Sequence, residues 1–145
     1  MNTEIIQDLL YNKSLKDAKN ILSSCTAPTM LHIYAFNYNW DDGFDLPQTI
    51  IDNPVCALST ALMIFYLGDG YLYLSEKNKS SNDPDWLFFI SNLYNRIYNN
   101  AFTNESIEFT VPLSKAQIFK LKKQLNENEQ VFITPIEGNN YDISL

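Results

Sequence analysis

Four glycines, two cysteines and a single histidine are all that this 145-residue chain holds of the residues on which much enzyme chemistry depends. Neither Gly-x-Gly-x-x-Gly nor a Walker-type loop occurs, so no backbone cradle for a phosphate, and no nucleotide cofactor, is expected. With one histidine, neither a histidine-based triad nor a two-histidine metal site is expected; flanked by Leu31 and Ile33 in a helical pattern, His32 reads as structural. Cys25 and Cys56 cannot complete a zinc tetrad with it unless distant carboxylates join them, and in apolar helical contexts they read as inert core thiols. No cofactor and no metal are expected. Basic residues are also scarce, 10 Lys and Arg against 17 Asp and Glu, for a net charge of -7. Phosphate neutralisation needs clustered Lys and Arg, so nucleic acid is not the expected partner and a basic protein is. The longest apolar run, Val55 to Leu67, is broken by Ser59 and Thr60 and falls short of the roughly 20 residues a spanning helix needs. Met1 to Leu10 carries Glu4 and Asp8 where a secretory leader would be apolar, so the expected compartment is the cytoplasm, with no membrane partner.

Apolar and aromatic residues are abundant, at 46% and 14%, which supports one folded domain over residues 1–145. Thr3 and Ser14 are positioned to cap two short helices that form a hairpin. Pro28 opens a third helix that Asp42-Gly43 ends, Pro47 a fourth, and a fifth runs from about Val55 to Leu67 before Gly68-Asp69-Gly70. After a polar connector at Lys77 to Asn82, Asp83-Pro84-Asp85 starts a sixth helix through Tyr98, apolar on more than one side and expected in the middle of the fold. Ile107, Phe109 and Val111 then alternate as a strand, Ser114 to Leu125 is an amphipathic helix, and Val131 to Ile136 reads as a second strand that Pro135 confines to an edge or an end. The expected fold is therefore mainly α. It is a bundle of about six to seven helices over residues 1–100, with a strand-helix-strand unit over residues 105–137 supplying a small C-terminal β element of two short strands.

The densest chemistry lies where the third helix ends, in Asn37-Tyr38-Asn39-Trp40-Asp41-Asp42-Gly43-Phe44-Asp45. Asn37, Asn39 and Asp41 have the opening spacing of a calcium loop, but Asp42 stands where the sharp turn needs Gly and Gln48 where a bidentate Glu is required. Asp42 and Asp45 as a glycosidase pair would have to face each other across a cleft, which adjacent carboxylates on one loop rarely do; helix capping accounts for them better. Between Asp41 and Asp85 eight acids stand against two lysines, a regional charge of -6, while the helix near Lys120 is positive. A dipolar molecule with an acidic receiving face follows. The expected partner-binding residues are Trp40, Asp41, Asp42, Asp45, Asp52 and Asp69, with Trp40 as an aromatic anchor inside a ring of negative charge.

Asn37-Tyr38-Asn39-Trp40-Asp41-Asp42-Gly43-Phe44, then Asn53-Pro54-Val55-Cys56 and Thr60-Ala61-Leu62-Met63-Ile64-Phe65-Tyr66, resemble the bacterial domain-of-unknown-function family 4274. The resemblance covers Leu31 to Tyr73 and continues more weakly through Trp86 to Tyr98. The family pattern has an acid after the Cys and a Gly or Ala before Thr-Ala-Leu; this chain has Ala57 and Ser59, so no acidic role carries over to position 57. Members resemble small acidic proteins found beside bacterial polymorphic toxins. The resemblance implies a non-catalytic immunity protein that neutralises a basic toxin domain, for example a nuclease, by covering its active site or an exosite. The alternatives are a small hydrolase using Asp41, Asp42 and Asp45 with Tyr38 or Tyr66, and a structural or regulatory subunit; oligomeric state is open.

Overall fold

The computed structural model describes residues 3–75 and 82–145. It contains α1 (Thr3–Tyr11), α2 (Leu15–Ser23), α3 (Pro28–Asn37), α4 (Asp45–Asp52), α5 (Leu58–Leu67), α6 (Gly70–Ser75), α7 (Pro84–Tyr98) and α8 (Lys115–Gln124). Two 3-10 turns, Trp40–Asp42 and Asn128–Ile133, complete it. The polar connector expected at Lys77 to Asn82 lies outside the described residues except for Asn82.

Local capping chemistry places several of the helix starts. Ser14 Oγ accepts the Asp17 amide at 3.1 Å, Asp83 Oδ1 accepts the amides of Asp85 and Trp86 at 3.1 Å each, and Ser114 and Gln117 form a reciprocal box at 3.1 and 2.8 Å. Each of these satisfies orphan donors of a first turn and contributes about 1 kcal/mol. α4 begins earlier than Pro47 suggests, at Asp45, and α5 later than Val55, at Leu58. Neither cysteine sits on a helix: Cys25 follows α2 and Cys56 precedes α5. Burial pushes the Cys56 thiol up to about 12, against a smaller opposing pull from Arg96. It is a buried apolar filler.

α3 and α5 form the middle of the molecule. Five consecutive residues of α3, Leu31 to Ala35, are buried, and α5 buries six of its ten residues, so both are enclosed on several sides. α5 packs on α3, α6 and α7; α2 lies on α4 and α1 on α3. The sixth helix of the sequence reading, α7, is not central. It buries one stripe, Phe89, Ile90, Leu93 and Ile97, and leaves Phe88 75% exposed. Buried Asn53 joins the N-terminal hairpin to α4 by donating to the carbonyls of Leu22 and Cys25, each at 2.9 Å.

Two expectations are corrected. First, there are more helices: α6 restarts immediately after Gly68-Asp69, because Asp69 takes a left-handed φ of 62° and Gly70 lies against Phe65 where a Cβ would collide. Second, the C-terminal β element does not form, and no sheet occurs among the described residues. Residues 107–111 are extended, but Phe109 makes one antiparallel bridge with Ile136 and Ile107 one parallel bridge with Asn139. Val131 to Ile133 instead lie in the second 3-10 turn, since neighbouring Phe132 and Ile133 both point into the core. Period-two alternation forbids that, and a helical turn permits it. Pro135 adds no ladder donor.

Candidate functional site

Gly43 and Phe44, the start of α4 and the start of α7 meet around an open depression of about 520 Å³. Phe44, Phe88 and Phe89 give it an aromatic bed, and Asp45, Asp83 and Asp85 give it three carboxylates. Phe44 stacks on Phe89 with centroids 5.1 Å apart, which fixes the bed, whereas Phe88 stands beside it in solvent. Among the described residues, no basic side chain lines the depression. Lys19 reaches Asp45 from α2 at 2.8 Å, an exposed pair whose charge solvent largely screens. The N-terminus of α7 contributes roughly half a positive charge, which Asp83 and Asp85 outweigh.

The sequence-predicted residues fall into separate environments. Asp45 lines the depression, and exposed Asp41 and Asp42 belong to the turn just before it. Trp40 is half-buried, edge-on to Tyr38, Phe44 and Phe89 at 5.6, 6.2 and 6.1 Å, with its ring against Gly68. Its indole N–H is buried without a partner among the described residues. Trp40 thus supports the aromatic bed from beneath, and the exposed aromatic at the acids is Phe88. Asp52 is engaged elsewhere, accepting from Arg96 at 2.8 Å and Gln48 at 3.0 Å, and Asp69 sits in the α5–α6 turn. Asn37 and Asn39, the first residues of the calcium-like spacing, are used structurally: Asn37 pairs with the backbone of Ile143 and Leu145, and Asn39 caps the Asp41 amide. Tyr38 donates to the Gly43 carbonyl, and burial, followed by nearby Asp42, raises its hydroxyl well above the ordinary value. Among the described residues, no three His, Cys, Asp or Glu side chains converge closely enough to hold a metal ion.

A second constellation, across α3 and α5, has no counterpart in the sequence reading. His32 Nε2 donates to Asp142 Oδ1 at 2.8 Å and Nδ1 accepts from Thr60 Oγ1 at 2.9 Å, so one histidine does assemble a three-residue chain. It does not have the reach of a nucleophilic triad, because the Thr60 hydroxyl is fully buried and is not among the residues that line the neighbouring cavity. The chain anchors the C-terminal segment, which Asn37 and Tyr11 also hold through Leu145 at 2.8 and 2.9 Å. Beside it opens a cavity of about 410 Å³ whose lining includes His32, Tyr66, Tyr71, Glu108 and Asp142.

Desolvation holds His32 below its ordinary value of 6.5, although the Asp142 hydrogen bond and charge pull it upward. The unfolded chain therefore takes up a proton near pH 6.5 that the folded one resists. Stability from this group is complete above that pH and declines as pH falls toward the lowered folded value. His32→Gln, which does not titrate, should have a shallower fall in Tm than the native protein between about pH 7 and pH 5. Parallel falls in thermal melts would contradict this assignment.

Taken together, the arrangement is that of a mainly helical domain with an acidic, aromatic surface depression. The sequence profile described as Domain of unknown function (DUF4274) matches residues 26–98, half of the chain, and the chain belongs to that family. The matched part runs from just ahead of α3 to the last residue of α7, and so includes the whole depression. No curated protein and no solved structure matches the chain. No helix among the described residues is long and apolar enough to cross a membrane.

Proposed function

We propose that this protein is a non-catalytic binding module that neutralises a basic toxin domain, acting in the cytoplasm as the immunity partner of that toxin. The observation that carries the reading is Phe88, 75% exposed at a depression edged by Asp45, Asp83 and Asp85. A large aromatic left in water beside carboxylates is the composition of an interface anchor with a charged rim. An Arg of the partner would stack on Phe44 or Phe88 and bridge to a rim carboxylate, combining cation–π and bidentate contacts. Net charge of -7 extends the attraction beyond contact distance and speeds encounter with a basic surface. A nuclease toxin, positive where it holds its substrate, fits this chemistry, and inhibition would follow from covering that groove or a site next to it. The toxin class rests on the charge pattern and on the immunity role that the family resemblance implies.

Co-expression with the product of the gene immediately upstream tests the reading. The expected result is a stable complex on pull-down and restored growth of cells that the upstream product otherwise arrests. An upstream product that neither binds this chain nor impairs growth would overturn it.

A further inference from the structure

We propose that the cavity beside His32 is a binding site for a small organic ammonium, an amine carried on a flat apolar body. The cavity is distinct from the acidic depression; among the described residues the two share no lining residue. α3, α5, α6, α8, the extended segment at 108–113 and the C-terminal segment all contribute to its wall. At about 410 Å³ it has the size of a small-molecule pocket.

Its lining sorts into an aromatic part and an acidic part. Phe36, Tyr66, Tyr71 and Phe109 supply ring surface. Tyr66 stacks on Phe109 at 6.1 Å and 19°, and its hydroxyl is spent on the Phe132 carbonyl at 2.6 Å, so it offers the cavity a ring and no free donor. Among the described residues, the charged groups of the lining are Glu108 and Asp142, with no Lys or Arg beside them. Each carboxylate retains acceptor capacity: Asp142 Oδ1 is engaged by His32 and Glu108 Oε2 by Asn140 at 3.1 Å, while Asp142 Oδ2 and Glu108 Oε1 carry no hydrogen bond among the described residues. His32, held neutral by burial and bonded at both nitrogens, adds no compensating charge. Anions are repelled by such a lining, and a neutral ligand leaves both carboxylates unused. An ammonium satisfies them with charge-assisted hydrogen bonds while the ring faces attract the same cation. Its apolar body takes the surface of Met63, Leu67 and Leu113.

Three probes with one indole body and different charges test the proposal: tryptamine, tryptophol and indole-3-propionate, titrated by calorimetry and by amide NMR shifts of the full chain. Tryptamine should bind with a Kd of about 1 mM or tighter, tryptophol about tenfold more weakly, and the propionate not at all. Shifts should centre on residues 63–71, 108–113 and 142. Glu108→Gln, at a half-buried position that leaves His32 and Asp142 untouched, should cut tryptamine affinity about tenfold and leave tryptophol unchanged. Leu113→Trp, which fills the cavity, should abolish binding of both; if it fails to fold, the charge series and Glu108→Gln still decide. Equal affinity for tryptamine and tryptophol, or tryptamine shifts outside the cavity, or no tryptamine binding at about 10 mM, would overturn the proposal.

Discussion

Truncation of Phe132 to alanine should lower the unfolding free energy by about 3–5 kcal/mol. Phe132 is completely buried, although it sits on a short 3-10 turn near the C-terminus. Its ring lies nearly parallel to that of Tyr94, 5.1 Å away at 7°, and 4.9 Å from Phe65. Its carbonyl receives the Tyr66 hydroxyl. One ring therefore ties α7, α5 and the C-terminal segment together, and the stacked aromatics around it have few rotamers with which to fill a void. A domain of this size commonly has about 5–15 kcal/mol in total, so the variant should lose a large part of it and melt about 10 °C lower. Val131→Ala, half-buried on the same turn, should cost under about 1.5 kcal/mol and serves as the control. Urea unfolding measures both; a loss below about 1 kcal/mol for Phe132→Ala would mean that the C-terminal segment does not share the core.

Reversal of the acidic rim should have the largest effect on binding. Asp42→Lys, Asp45→Lys and Asp85→Lys together leave Asp83, whose carboxylate caps α7, in place. Their folding cost is small because all three are exposed and Asp45 gives up only a surface pair with Lys19. Association with the basic partner should slow by about 100-fold at low salt, and the salt dependence of the rate should shrink. Phe88→Ala acts on the other half of the contact: removal of an exposed anchor should leave the association rate nearly intact and speed dissociation by about 30-fold. Stopped-flow kinetics separates the two. Native rates in the triple variant would remove the carboxylates from the interface.

Several helix starts along the chain are legible because their signals are local. Ser14, Pro28, Asp83 and Ser114 act within a few residues of themselves, and the structure starts helices at each. The C-terminal third was harder to read because tertiary contacts decide it. Ile107 and Phe109 do alternate inward, but the segment that would pair with them turns helical so that Phe132 and Ile133 can both be buried. Gly68-Asp69-Gly70 looked like a terminator and is also a restart. At the depression, Asp45 is among the partner-binding residues expected from sequence, while Asp83 and Asp85 enter that reading as helix-start residues and as part of the regional negative charge. Phe88 was hidden among the apolar residues of α7. Its signal was present, since Phe89, Ile90, Leu93 and Ile97 make a complete helical stripe that excludes position 88. His32 and Asp142 are 110 residues apart, and nothing local announces their meeting.

Amide hydrogen exchange of this protein, alone and bound to the upstream gene product, most directly tests the claim that the acidic, aromatic depression is the face that binds. The account predicts slowed exchange confined to residues 41–48 and 83–89 in the complex. A complex that protects other surfaces and leaves both of these segments exchanging as in the free protein would contradict it.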